Sequence, residues 1–292
     1  MATKLPPIRA CLFDMDGLLI DSEDKYTLIT NEILTSYGRP PLPWSIKAQL
    51  QGRPQPEASK IFHDWAKLPI TPEEYQEKLV ALQDKYFPTC QPLPGVMKLL
   101  KDLQSTLATD KPVHVALATS SQSRTFKLKT DHLQDLFAFF PESRRIRGDD
   151  PRIGKGRGKP LPDIYLLALE VINQELRQKG EKEVEPQECL VFEDSVPGVE
   201  AGRRAGMQVV WVPYKELLEE YRGREEEVLA GLTGEHKEEE KSEPEKEATA
   251  LQAERFSKAG DSGKPGKIGD GWGRLLLSLE NFPYEDYGIT IP

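Results

Sequence analysis

From residue 8 to about residue 213 the apolar positions alternate between short unbroken runs and stripes of helical period. Four segments read as buried strands: Ile8 to Phe13, Val113 to Ala118, Cys189 to Glu193 and Gln208 to Val212. They are five or six residues long and apolar almost throughout, as strands covered on both faces are. Between them lie amphipathic stripes at helical spacing: Leu99, Leu100, Leu103 and Leu107; then Ile164, Leu167, Ala168, Val171 and Ile172; then residues 198 to 206. Strands that alternate with helices predict a parallel, doubly wound α/β sheet.

One stretch breaks the alternation. Tyr26, Ile29, Ile33 and Tyr37 form a helical stripe ending at Gly38, and Ala58, Ile61, Phe62 and Trp65 form a second. Thr71-Pro72-Glu73-Glu74 reads as a capping box with proline at the first helical position, opening a third helix marked by Tyr75, Leu79, Leu82 and Tyr86. The expected division is therefore an α/β core over residues 1–21 and 93–214 with an all-helical insertion over 22–92. Beyond residue 215 the periodicity fades. Residues 215–271 read as an acidic low-complexity segment with too little apolar surface to fold, and 272–292, carrying Trp272, Leu275, Leu276, Leu277, Leu279 and Phe282, as a terminal docking helix.

Composition narrows the function classes. The chain has 292 residues, 38% hydrophobic and 30% charged, with a formal net charge of −9. Seven Glu against three Lys between Glu235 and Glu247 account for −4 of that charge. No basic stripe points to a nucleic acid polymer. No run approaches the ~20 apolar residues of a membrane span, and residues 1–9 lack the apolar stretch of a secretory leader, so the chain reads as cytoplasmic, the nucleus included. Three cysteines, Cys11, Cys90 and Cys189, build neither a disulfide framework nor a zinc site.

Candidate chemistry sits at the carboxyl ends of the strands, where open α/β sheets bind ligands. In Leu12-Phe13-Asp14-Met15-Asp16-Gly17 two carboxylates two positions apart meet a glycine turn, an arrangement suited to a magnesium ion although also found in ordinary turns. The second strand ends in Thr119-Ser120-Ser121. Lys159 stands in a Gly/Pro frame, Gly158-Lys159-Pro160, and the strand from Cys189 ends in Glu193-Asp194-Ser195. A lone loop lysine is ordinarily solvated. Four such segments in this order are a stronger signal than any one of them.

Taken together, these motifs resemble those of the haloacid dehalogenase superfamily, subfamily I, a family of aspartyl-phosphate phosphatases with a Rossmann-like core and an inserted helical cap. The resemblance implies Asp14 as nucleophile and Asp16 as general acid and base. It implies Thr119 and Lys159 as contacts to the phosphate, with Ser120, Ser121 and the following helix N-terminus as an anion site. Mg2+ would be held by Asp14, the backbone carbonyl of Asp16 and Asp194, with Glu193 in support. Gly52 and Arg53, in the cap, fall where family members contact substrate, and Arg53 is read equally as a solvated residue. Phrases such as Ala116-Leu117-Ala118-Thr119-Ser120-Ser121 and Gly148-Asp149-Asp150-Pro151 further resemble the eukaryotic pseudouridine-5'-phosphatases and their fungal relatives. The expected activity is a magnesium-dependent monomeric phosphomonoesterase acting on a small-molecule phosphate ester. A sugar or polyol phosphatase or a phosphosugar mutase of the same fold is the alternative, and a non-catalytic binding protein with an acidic recruiting tail is the remote one.

Overall fold

A computed structural model describes residues 5–52, 55–234 and 263–292, without the side chains of 55–57. The chain enters through β1 (Ala10–Phe13) and leaves the core at once for four helices: α1 (Ser22–Ser36), α2 (Trp44–Leu50), α3 (Gln55–Ala66) and α4 (Pro72–Tyr86). It returns through α5 (Val96–Ser105), β2 (His114–Ala118), α6 (Ser123–Thr130), α7 (Gln134–Phe137), β3 (Arg145–Ile146) and α8 (Asp163–Lys179). Next come β4 (Cys189–Glu193), α9 (Val196–Arg204), β5 (Gln208–Trp211), α10 (Lys215–Glu220), α11 (Glu225–Ala230) and β6 (Gly273–Leu275).

The six strands form one parallel sheet in the order β3-β2-β1-β4-β5-β6. Side-chain alternation explains why the central strands are apolar at nearly every position. Ala10 and Leu12 of β1, Val191 of β4 and Val209 of β5 pack into a core shared with α8 and α9. Cys11 and Phe13, Phe192 and Val210 face an opposite core with Val96, Leu99 and Leu103 of α5. Phe13 and Phe192 stack at 4.5 Å between centroids across the β1–β4 pair. All three cysteines are buried and unpaired.

The helices between β1 and α5 have their own small core, centred on Ile29, Ile33, Phe62, Tyr75 and Phe87. Here α4 opens with the expected capping box, in which Thr71 Oγ1 accepts from the Glu74 N–H and Glu74 accepts from the Thr71 N–H. The sequence pattern gives no sign of α2, seven residues behind Pro40, Pro41 and Pro43 with no stripe of their own.

Two expectations for the C-terminal part are corrected. Residues 215–234 are not featureless: α10 and α11 bury Leu217, Val228 and Leu229 against the α9 side of the sheet. Their six-residue length is too short to register as a period. Residues 235–262 of the acidic segment lie outside the described residues. The terminal segment is not a docking helix, because Gly273–Leu275 pairs with β5 as the sixth strand and Leu279, Phe282 and Tyr287 then cover the α5 face of the sheet. A strand of three residues with glycine at its start carries no helical signal to contradict.

Candidate active site

Asp14 follows β1 at the point where the strand order reverses between β2 and β4, the crevice position of open α/β sheets. Its backbone N–H continues the ladder to the Phe192 carbonyl at 3.0 Å, which fixes the side chain at the strand mouth. Lys159, 1% exposed, reaches it from the loop before α8, with Nζ 2.5 Å from Asp14 Oδ1 and 2.6 Å from Glu193 Oε1. A further N–H goes to the Ala118 carbonyl at 3.1 Å. The loop lysine is therefore fully committed, and the solvated reading is excluded.

Asp14, Glu193 and Asp194 each place a carboxylate oxygen within 4.8 Å of the others, all three buried. Glu193 is held by Tyr165 Oη at 2.5 Å and by the Ser195 N–H and hydroxyl at 3.1 and 3.0 Å. Only a glycine fits beside it, since a Cβ on Gly198 would stand 1.8 Å from Glu193 Oε1. Gly17, at φ +79°, likewise admits Asp194, whose Oδ2 would be 2.2 Å from a Cβ there. Burial raises the pKa of Asp14 to about 7, with Glu193 and Asp16 adding to the rise and Lys159 opposing it. Asp194 is raised well above the carboxylate range, first by burial and then by Glu193 and Asp14. One ammonium facing three crowded carboxylates leaves an electrostatic deficit that an oxygen-preferring divalent cation would fill. The donor set, all oxygen and buried, fits such a cation.

Asp16 is turned away from that cluster. Its Oδ1 accepts from Ser22 Oγ and from Lys129 Nζ, both at 2.5 Å, and its Oδ2 accepts from Ser121 Oγ at 2.6 Å and Thr119 Oγ1 at 3.3 Å. Burial alone would raise its pKa, but Lys129 and these hydroxyls outweigh burial and hold it below the usual value. The sequence reading missed Lys129, which is fully buried and also donates to Ser121 Oγ at 2.6 Å and Tyr26 Oη at 3.2 Å. A faint signal existed: Phe126, Lys129 and Thr130 at i, i+3 and i+4 make the buried face of α6.

Thr119 and Ser121 thus surround Asp16, and Ser120 lines the same pocket. At the start of α6 one of the N–H groups expected to form an anion site, that of Ser123, is already capped by the Asp149 carboxylate at about 3.0 Å. From the cap, Gln51 donates an amide N–H to Asp194 Oδ2, and Gly52, at φ +74°, lies against Ser195. Arg53 lies outside the described residues. Above Asp14 and Asp16 a cavity of about 350 Å³ extends between core and cap, walled by Leu42, Leu50, Phe62, Tyr75 and Leu79, with Lys47 and Arg124 among its polar lining.

Residues 8–206 match the haloacid dehalogenase-like hydrolase family. The chain belongs to that family. A probable pseudouridine-5'-phosphatase of Saccharomyces cerevisiae is 48% identical over 209 residues, covering 72% of this chain and 84% of the yeast protein. A mitochondrial (DL)-glycerol-3-phosphatase of Arabidopsis thaliana is 35% identical over 223 residues, covering 76% of this chain and 69% of the plant one. Among solved structures, a haloacid dehalogenase family hydrolase from Deinococcus radiodurans, crystallised with phosphate and sodium, superposes with a TM-score of 0.53 at 25% identity, covering 72% and 82% of the two chains. This chain is accordingly a haloacid dehalogenase-type phosphatase, with a buried acidic cluster suited to a divalent metal. Among the described residues no helix is long and apolar enough to cross a membrane.

Proposed function

We propose that the protein is a Mg2+-dependent phosphomonoesterase that works through an aspartyl-phosphate on Asp14, with pseudouridine 5'-phosphate as the leading substrate. The observation that carries this reading is the placement of Asp14 at a strand mouth, tied to Lys159 and opening onto the cavity whose wall also holds Asp16. A carboxylate so placed can attack phosphorus in line, forming the acyl phosphate as the P–O bond to the alkoxide breaks. Against burial, Lys129 and the hydroxyls hold the pKa of Asp16 low, but the negative charge of an entering phosphate favours protonation of the carboxylate, and in that form Asp16 gives its proton to the alkoxide. It then takes one from the water that attacks the acyl phosphate, releasing inorganic phosphate and restoring the Asp14 carboxylate.

Lys159 and the Thr119 hydroxyl would carry phosphate oxygens, the ammonium as a point charge and the hydroxyl as a donor. Asp14, the Asp16 carbonyl and Asp194, with Glu193 beside them, would hold Mg2+, which when bound neutralises charge on the phosphate and on the carboxylates. The cavity favours a leaving group with a flat apolar part. Phe62, Tyr75 and the leucines around them offer a pyrimidine ring an apolar wall, and Thr30, Gln76 and Gln83 of the same lining can meet the polar groups of a nucleoside. We place the enzyme in the cytoplasm as a monomer.

The test is a comparison of kcat/KM for pseudouridine 5'-phosphate, uridine 5'-phosphate, glycerol 3-phosphate and hexose phosphates with Mg2+, scoring both phosphate release and isomer formation. The nucleotides should lead. A preference for glycerol 3-phosphate, or isomerisation without release, would overturn the assignment.

A further inference from the structure

We propose that Gln51 is a positioning residue that couples the cap to the metal-binding carboxylates, fixing Asp194 when the cap is seated and weakening cation binding when it is not. The inference rests on reading Asp14, Glu193 and Asp194 as a divalent-cation site.

Gln51 directly follows α2, so it is carried by the cap, while Asp194 ends β4 in the core. Their contact spans 143 residues of sequence and is buried: Gln51 is 5% exposed and Asp194 1%. A carboxylate has two oxygens and about four lone-pair sites, so the amide bond to Oδ2 orients the group and leaves acceptor capacity for a cation. Metal ligands are commonly held this way, and removing the holding group typically costs 10- to 100-fold in metal affinity or activity.

The neighbouring backbone makes the contact depend on cap position. Gly52 sits so close to the turn after β4 that a Cβ on it would lie 2.4 Å from Ser195 Oγ and 2.7 Å from Ser195 Cβ, at a φ that favours glycine in any case. At the other end of α2, Trp44 packs 6.0 Å from the ring of Tyr214, which follows β5, and Lys47 Nζ lies 4.5 and 5.3 Å from those two rings. Both ends of α2 are therefore seated on the core, and Gln51 reaches Asp194 only in that seated position.

A second observation concerns the other amide atom. Gln51 Oε1 is buried with no hydrogen-bond partner among the described residues, in a side chain that lines the cavity above Asp14. An orphan acceptor is costly unless a ligand completes it. The matching chemistry is an O–H donor, from a cation-bound water or from a substrate hydroxyl. If the seated cap tightens the cation, the cation must stabilise the seated cap by the same factor.

The experiment is calorimetric titration of the full-length, metal-free protein with MgCl2, without substrate, for the wild type, Gln51→Met and Gly52→Ala. Both variants should bind Mg2+ about 10- to 100-fold more weakly, Gln51→Met with an unchanged thermal unfolding midpoint and Gly52→Ala with a lowered one, and Mg2+ should slow amide exchange across Trp44–Leu50 in the wild type but not in Gln51→Met. Saturating Mg2+ should then restore the KM of Gln51→Met for pseudouridine 5'-phosphate if the donor is a cation-bound water, and leave it raised if the donor is a substrate hydroxyl. Equal Mg2+ affinity in the wild type and Gln51→Met would overturn the proposal, even if Gly52→Ala binds more weakly. A wild type that binds no divalent cation would instead remove the metal-site reading itself, and this inference with it.

Discussion

Replacing Lys159 by Met tests the electrostatics of the site without touching a carboxylate. The ammonium is 1% exposed and serves Asp14 at 2.5 Å and Glu193 at 2.6 Å, with Asp194 beside them. Deleting one partner of a buried ion pair costs about 3–5 kcal/mol. The site has one escape: a carboxyl group can hold a proton in place of the lost cation. Burial already raises Asp14 to about 7 against the opposing pull of Lys159, so removing the ammonium raises it further. Below pH 7 both native proteins hold that proton; above it wild type releases it while Lys159→Met keeps it, so the variant then loses stability faster and the gap widens with pH. Urea unfolding in EDTA should therefore show a gap of about 3–5 kcal/mol near pH 7, flat on acidification and growing by up to ~1.4 kcal/mol per unit at higher pH. Mg2+ should narrow it, by replacing the missing positive charge. A gap below about 1 kcal/mol, the scale of an exposed pair, or one independent of pH, would refute the account of Lys159 as the counter-charge of the cluster.

A second pH effect lies far from the site. Burial pushes the pKa of His114 down from 6.5 to about 4, with Arg144 assisting, so the native state resists its protonation. The stabilisation from keeping it neutral is present above pH 6.5 and is lost as pH falls toward 4; at ~1.4 kcal/mol per unit this amounts to roughly 3 kcal/mol. His114→Gln should flatten that acid limb in urea titrations, and a variant that declines in parallel with wild type would show another group to be responsible. Replacing residues 235–262 by a short Gly/Ser linker should leave kcat/KM within about twofold, since loop length costs little. The segment departs and re-enters beside Glu200 and Arg204, through Thr233 and Gly263. Arg204 ends α9, about 13 Å of helix from Ser195. Loss of activity in a folded deletion variant would place the segment at the site.

The parts of the fold legible in the sequence are those whose physics is local. β1, β2, β4 and β5 announce themselves because burial on both faces demands unbroken apolar runs, and α4 because Thr71 and Glu74 cap it reciprocally. The elements missed are short: α2, β3, α10, α11 and β6 span two to seven residues, too few for a period, and are held by tertiary contacts such as Leu217 and Leu229 in the α9-side core. Within the site, Asp14, Asp16, Thr119, Lys159, Glu193 and Asp194 were visible because each sits at a strand end or in a Gly/Pro frame. Lys129 and Gln51 were not, since a lysine in a polar helix and a glutamine in a cap loop look solvated until the chain folds over them. In the sequence, the start of α6 hid a partner rather than a ligand site. Its free N–H groups suggested an anion site, and Asp149, 26 residues on, already occupies one of them.

The central claim, a covalent phosphoryl group on Asp14, is tested most directly by acid-quenching the enzyme during turnover of pseudouridine 5'-phosphate with Mg2+ and mapping the phosphorylated peptide by mass spectrometry. The account predicts a hydroxylamine-labile acyl phosphate on Asp14, formed within the first turnover and absent from Asp14→Asn, which should be folded and inactive. Steady turnover with no phosphoryl group on Asp14, or an Asp14→Asn protein that retains activity, would contradict it.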